Sequence, residues 1–227
     1  YVNNTQLDTS AVFRDPSAWY HVCWTIDTTQ VVVANRVRCF VNGVNYTLSG
    51  TQPALNFETN FNRSSSDYGS GGMYIGSNYN NNAFFDGYIS EYALIDGLAY
   101  TPSSFGQYNS KGVWVPVDLS DLTWTGANSA WLDFADSSSL GTDVNGNNNY
   151  TTTGLAAANW TYDRPADKAS DTGNYATFNS TYREGSGYNV PLSNGNLTYA
   201  NSGFGAVSSA IGTIGVSSGK FYWEVSW

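Results

Sequence analysis

Two stretches decide the fold of this chain: residues 18–27, Ala-Trp-Tyr-His-Val-Cys-Trp-Thr-Ile-Asp, and residues 36–42, Arg-Val-Arg-Cys-Phe-Val-Asn. Both are rich in the β-branched and aromatic residues that favour strands. In the second stretch, residues 37, 39 and 41 face one way and residues 36, 38 and 40 face the other. Asn42 and Gly43 then tolerate the positive φ of a tight hairpin turn. We therefore predict that the two stretches are strands that pair antiparallel.

The chain's two cysteines, Cys23 and Cys39, fall one on each of these strands. We expect them on the same face of the hairpin, where directly opposed Cα atoms would lie within disulfide range. The alternative is two small buried thiols, which are common in protein cores. The sequence leaves both alternatives open.

Composition points to an all-β protein. Of 227 residues, 16% are aromatic and only 12% are charged, with 23 Gly, 17 Tyr and 8 Trp. Aromatic and β-branched residues favour strands, and Gly favours turns. The net charge of −9 argues against nucleic acid as a partner, since nucleic-acid binders need a basic surface. No apolar run approaches 18 residues, so we expect no membrane insertion.

Further elements follow along the chain. Gly71-Gly72 precedes a short predicted strand over residues 73–77, and residues 84–95 form a longer extended run. Thr101-Pro102 begins one predicted helical turn that ends at Phe105, with Thr101 as the N-cap and Pro102 in the first helical position.

The order of these segments resembles a known family. Trp19-Tyr20-His21-Val22, Arg38–Gly43, Phe85–Glu91 and Leu98–Pro102 resemble the strands and C-terminal signature of laminin G-like (concanavalin A-like) jelly rolls. Residues 27–37 with residues 112–116 resemble such modules in virion proteins of tailed bacteriophages. The resemblance implies a jelly-roll sandwich over residues 1–116 that lacks its opening strands. It also implies calcium as a candidate cofactor at the sandwich rim, with Asp67 and Asp86 as ligands.

The second half of the chain has a different character. Residues 117–162 read as a β-rich connecting segment, and residues 163–190, which show no helical or strand period, as an extended linker. Residues 214–225, with the run Gly219-Lys220-Phe221-Tyr222-Trp223-Glu224-Val225, resemble the start of a SPRY domain. The expected fold is therefore a jelly roll, a linker, and the first strands of a second, SPRY-like β-sandwich over residues 191–227. We further expect residues 195–227 to pack against polypeptide outside this stretch.

The sequence shows no catalytic constellation. His21 is the only histidine, so a Ser-His-Asp triad would have to use it; we interpret it as a strand residue beside Trp19. Asp133 and Asp136 are close in sequence, but a separation of three places them on opposite faces of a strand. We interpret both as turn or surface residues and predict that the chain is not an enzyme.

Two polar stretches are candidate binding sites. Asp143, Asn145, Asn147 and Asn149 alternate as in a calcium loop, but residue 154 is Gly where such a loop has Glu, which favours a polar turn. In residues 74–86, Asn78, Tyr79, Asn80 and Asp86 have the character of a glycan site, in which aromatic rings stack on sugars and amides bind hydroxyls. A long polar hairpin loop is the alternative.

We expect a structural or adhesive component of a phage particle, such as a tail fibre protein, located on the virion or outside the cell. Its expected partners are other virion subunits, including copies of itself in a homo-oligomer, and cell-surface polysaccharide. Two rival functions are a virion depolymerase that cuts polysaccharide, and a cellular surface lectin or adhesin. A carboxylate pair about 5–10 Å apart in a cleft would favour the depolymerase.

Overall fold

The computed structural model describes residues 6–15, 18–59, 73–78, 82–110, 112–161, 176–184, 192–200, 209–215 and 217–220. In these ranges the regular elements are strands and three short 3₁₀ turns. The strands are β1 Asp8–Thr9, β2 Val22–Ile26, β3 Val37–Val41, β4 Val44–Tyr46, β5 Leu48–Ser49, β6 Tyr92–Leu94, β7 Gly106–Tyr108, β8 Trp114–Pro116, β9 Ala130–Leu132, β10 Phe178–Glu184, β11 Leu192–Ser193, β12 Thr198–Tyr199 and β13 Ser209–Gly212. The 3₁₀ turns are Val33–Asn35, Pro102–Ser104 and Ala157–Asn159. The chain is all-β, and each described strand pairing is antiparallel.

The central sheet has the order β2-β3-β4. The predicted antiparallel pairing of the first two strands is confirmed, with Val22 opposite Val41 and Ile26 opposite Val37. Asn42 and Gly43 have φ values of 49° and 77°, so the predicted tight turn connects β3 to β4. Val37, Cys39 and Val41 are all buried, as expected for the core-facing residues of a central strand.

The prediction that Cys23 and Cys39 share a face is wrong. Cys23 lies opposite Phe40, and Cys39 lies opposite Trp24. Because side chains alternate along a strand, this one-residue offset places the cysteines on opposite faces of the sheet. Both thiols are free and buried in the structure.

The strand β9 joins the first part of the chain to the segment that follows it. Ala93 of β6 lies opposite Trp131 of β9, so the segment after residue 116 contributes a strand that pairs with a strand before it. A second contact fixes the β3–β4 turn. The indole of Trp114 lies so close to Gly43 and Gly106 that a Cβ atom at either glycine would collide with it, and the Tyr108 hydroxyl donates to the carbonyl of Asn42 at 2.8 Å.

Other predicted elements are shorter than expected or differ in type. The predicted strand at 73–77 is reduced to one bridge, Ser77 to Phe84, and the run 84–95 contains only β6. The helical turn is present as Pro102–Ser104, although no side chain caps it. The expected linker at 163–190 contains β10, which pairs with β13. The SPRY-like run at 221–225 lies outside the described residues.

Candidate functional site

An open cleft of about 2210 Å³ lies between β2 and the segment that runs from Phe85 to Tyr100. Its volume exceeds the 300–1,000 Å³ typical of a pocket for one small molecule. The described residues that line it include no Lys or Arg. Seven of the lining side chains are carboxylates, namely Asp15, Asp27, Asp86, Glu91, Asp96, Asp118 and Asp133.

One wall of this cleft is the two-stranded sheet formed by β6 and β9. Ala93 lies opposite Trp131, and Glu91 and Asp133 each lie two residues away along their own chains. Because side chains alternate along extended backbone, all four residues lie on the same face. All four line the cleft. We call this set, Glu91, Ala93, Trp131 and Asp133, the Trp131 platform.

The indole of Trp131 is held at two points. Its ring is stacked on that of Trp124, with a centroid separation of 5.6 Å and an interplanar angle of 9°. Its Nε1 donates a 2.8 Å hydrogen bond to the Glu91 carboxylate. Trp131 lines the cleft and Trp124 does not, so Trp124 supports the indole from behind. The result is a fixed aromatic surface with a small alanine beside it and a carboxylate at its edge.

Two carboxylates of the platform flank the paired strands. At this end of the sheet the register ends at the pair Tyr92 and Leu132, and Glu91 and Asp133 are the residues directly outside that pair. Asp133 also accepts a hydrogen bond from the backbone N–H of Ala135 at 3.0 Å. Carboxylates can accept hydrogen bonds from hydroxyl groups, so the platform combines an apolar ring with acceptors for a hydroxylated ligand.

Of the four residues predicted to bind glycan, the structure describes two, Asn78 and Asp86. The Oδ1 atom of Asn78 accepts the backbone N–H groups of Asn82 and Ala83, and its Nδ2 donates to the Asn82 side chain at 2.7 Å. The Asn78 side chain therefore closes a polar hairpin turn. Asp86 is exposed and lines the cleft. Tyr79, Asn80 and the calcium candidate Asp67 lie outside the described residues.

The stretch that resembles a calcium loop is a polar turn built around Asp143, which is only 2% exposed. Its carboxylate accepts hydrogen bonds from four backbone N–H groups, those of Trp131, Asn145, Asn147 and Asn148, at 2.8–3.1 Å. Burial is the largest single effect and raises the pKa of Asp143, but the four N–H donors together outweigh it and hold the pKa below its ordinary value. These donors occupy both carboxylate oxygens. Among the described residues, no three His, Cys, Asp or Glu side chains form a cluster able to hold a metal ion.

His21 is placed in packing with aromatic rings. Its ring centroid lies 5.6 Å from that of Trp114, and its Nδ1 atom is enclosed with no hydrogen-bond partner in the described part of the chain. Burial lowers the pKa of His21, which favours the neutral imidazole. His21 was predicted to be a strand residue beside Trp19; it lies directly before β2, which begins at Val22.

Of the remaining candidates, Cys23 lines the cleft, whereas Asp136 and Cys39 do not. Asp136 accepts hydrogen bonds from the backbone N–H and the hydroxyl of Ser138, as expected for a turn residue, and it does not line the cleft. Burial raises the pKa values of Cys23 and Cys39, so both thiols are poor nucleophiles at neutral pH.

The sequence analysis missed the Trp131 platform, because its two strands lie about 40 residues apart in the chain. The local signal was the alternation of Trp131 and Asp133 along one strand, which places a ring and a carboxylate on one face. No family model matches the chain, and no curated protein or solved structure is significantly similar to it. Within the described ranges, no helix has the length and apolar character needed to cross a bilayer.

Proposed function

We propose that this chain is a non-enzymatic structural and adhesive component of a bacteriophage particle, such as a tail fibre or tail-associated protein. In this proposal the β-sandwich unit binds a host-surface glycan on the Trp131 platform, while other surfaces contact neighbouring virion subunits. The phage setting rests on the resemblance of residues 27–37 and 112–116 to laminin G-like modules of virion proteins. Such a protein would be located on the virion or outside the cell.

The observation that carries the glycan proposal is the fixed indole of Trp131 on the cleft wall. Glu91 and Trp124 hold this ring in one orientation, so little side-chain entropy is lost when a ligand stacks on it. Trp131 is half-buried, and an aromatic ring that lines a cleft beside polar groups is typical of a ligand site. A sugar ring offers both an apolar face for the indole and hydroxyl groups for the carboxylates.

The charge of the cleft limits which class of glycan it would bind. Seven carboxylates and no Lys or Arg line it in the described structure, so a uronic acid, sialic acid or phosphate polymer would meet like charge without a compensating cation. A neutral polysaccharide meets no such penalty. We therefore propose neutral hexose chains as the ligand class.

A virion depolymerase is the second candidate, and one observation favours it. Glu91 and Asp133 lie directly outside the end pair of β6 and β9, and both line the cleft; paired carboxylates are the usual requirement of a glycosidase. Against this, Glu91 holds the Trp131 indole and Asp133 holds a local turn, which are positioning roles.

One experiment separates these candidates. The chain is incubated with neutral and acidic bacterial polysaccharides, and both retention on the immobilised polymer and release of reducing ends are measured. The proposal predicts retention on neutral polymers without new reducing ends. Release of reducing ends that is abolished in Glu91→Gln and Asp133→Asn would establish the depolymerase instead. Absence of retention on every neutral polymer, by folded protein, would overturn the glycan proposal.

A further inference from the structure

A second polar group lies in the cleft beyond the Trp131 platform. The Nδ2 atom of Asn128 donates a 2.9 Å hydrogen bond to Oδ2 of Asp96, and both residues line the cleft. Asn128 is exposed and Asp96 is half-buried, so solvent and ligands can reach the amide. We call these two residues the Asp96–Asn128 pair.

The backbone at both members of this pair is fixed by side chains. Thr125 Oγ1 donates to the carbonyl of Asp96 at 2.8 Å, and the Asp96 N–H donates to Ser129 Oγ at 2.8 Å. The side-chain amide of Asn148 donates to the carbonyls of the residues on either side of Asn128, at 2.8 and 2.9 Å. The pair is therefore preorganised, so little conformational entropy is lost when a ligand binds to it.

The pair retains hydrogen-bonding groups that a ligand can use. Within the described structure, the Oδ1 atoms of Asp96 and Asn128 accept no hydrogen bond, and the second N–H of the Asn128 amide has no acceptor. A hydroxyl group is both a donor and an acceptor. Adjacent sugar hydroxyls can therefore donate to the carboxylate and accept from the amide at the same time.

The Trp131 platform lacks a donor of this kind. Its indole N–H already donates to Glu91, and ionised carboxylates only accept hydrogen bonds. The described residues that line the cleft include no Lys or Arg, so donors to a glycan must come from neutral side chains. Asn128 supplies such a donor.

The pair is separated from the platform along the direction of the strands. Ala93 lies opposite Trp131, Asp96 follows Ala93 by three residues, and Asn128 precedes Trp131 by three residues. Three residues of extended backbone span roughly 10 Å. This distance exceeds the spacing between neighbouring rings of a hexose chain, so one disaccharide cannot reach from the Trp131 indole to the pair.

We propose that the Asp96–Asn128 pair is a second subsite of the cleft, which binds adjacent hydroxyl groups of a sugar residue beyond the one stacked on Trp131. This inference rests on the proposed glycan function and deepens it, because it makes the ligand an oligomer longer than a disaccharide with a free diol at the distant residue. An O-acyl or O-alkyl group on that diol removes the hydroxyl donor to Asp96 and should prevent binding at the subsite.

The test is a calorimetric titration with neutral glucose, galactose and mannose oligomers, from dimers to hexamers. Asn128→Ala removes the amide, and Asn147→Ala is the matched control, because Asn147 is also exposed but does not line the cleft. We expect the unchanged chain and Asn147→Ala to bind the longer oligomers more tightly than dimers. Asn128→Ala should lose about tenfold in affinity for tetramers and longer oligomers and nothing for dimers.

A second variant, Asn128→Asp, keeps the size of the side chain but replaces the donor with a carboxylate beside Asp96. It should weaken tetramer binding at least as much as Asn128→Ala does.

The outcomes separate this inference from the proposed function. If Asn128→Ala and Asn128→Asp change the unfolding midpoint but not the affinity for any oligomer, while Trp131→Ala abolishes binding, the pair only holds the loop and the inference is wrong. Equal affinity of the unchanged chain for dimers and hexamers would also overturn it. If the folded, unchanged chain binds none of the oligomers, the proposed function fails, and this inference fails with it.

Discussion

The carboxylate of Asp143 accepts a hydrogen bond of 2.8 Å from the backbone N–H of Trp131. The next residue after this aspartate, Val144, donates its N–H to the carbonyl of Trp131, also at 2.8 Å. The two bonds satisfy the backbone N–H and C=O groups of Trp131, which face away from β6. The loop around Asp143 thereby fixes the backbone that carries the proposed glycan platform.

Asp143→Asn should destabilise the fold. The amide replaces one acceptor oxygen with an N–H₂ donor, so backbone N–H groups of the loop lose their partner in a buried place. We expect a loss of roughly 2–3 kcal/mol in the free energy of unfolding, measured by urea denaturation. Asp136→Asn is the matched control, because Asp136 is an exposed turn residue with partners only in Ser138. Equal effects of the two substitutions would contradict the role given to Asp143.

The stability should also depend on pH in a defined direction. The folded-state pKa of Asp143 is held below its ordinary value of 3.8. A carboxyl with a lowered folded pKa stabilises the fold above its unfolded pKa, and this contribution is lost as pH falls through the folded value. Urea denaturation should therefore show full stability at pH 7 and a decline below about pH 4. The decline should be shallower in Asp143→Asn, and an identical decline in both proteins would argue against this assignment.

Gly106→Ala should destabilise the contact between the two hairpins. A Cβ atom at this position would lie 2.5 Å from Nε1 of Trp114, so the indole or the β7 backbone must move. Overpacking of this kind costs about 1–3 kcal/mol, which thermal and urea unfolding can measure. The control is Gly215→Ala, where a Cβ atom meets nothing within 4 Å. A neutral Gly106→Ala would show that Trp114 is not fixed between the glycines.

The two thiols should react slowly with a thiol reagent in the folded protein. Cys23 and Cys39 are both buried, and burial raises their pKa values, so little thiolate is present at neutral pH. We expect both to react at once in denaturant, with two thiols titrated per chain. Titration of no free thiols after denaturation without reductant would show that they form a disulfide, against the register of the β2–β3 pair.

Local sequence patterns predicted the local structure. Asn42-Gly43 predicted the turn between β3 and β4, and Thr101-Pro102 predicted the 3₁₀ turn, because each depends on neighbouring backbone angles. The prediction that Cys23 and Cys39 lie on one face of the hairpin was wrong, because it depended on the register between two strands. The register of β2 and β3 is fixed by the ten-residue connection from Asp27 to Arg36, and a one-residue offset reverses every face.

Local sequence patterns did not predict which strands far apart in the chain pair with each other. Strand β9 pairs with β6 across about 40 residues, and β10 has an irregular register with β13, which hides any strand period. The Trp131 platform depends on the first of these pairings. Hence the sequence showed an all-β chain rich in aromatic residues but did not show which of them share a cleft with carboxylates.

The most direct test of the central claim is a calorimetric titration of the chain with a neutral hexose oligosaccharide. Trp131→Ala removes the indole, Trp131→Phe keeps a ring but loses the bond to Glu91, and Trp160→Phe is a control tryptophan that does not line the cleft. The account predicts that binding is unchanged in Trp160→Phe, weakened in Trp131→Phe and lost in Trp131→Ala, with no binding of a uronic acid oligosaccharide by any of them. Unchanged affinity in a folded Trp131→Ala protein, or preferred binding of the acidic oligosaccharide, would contradict it.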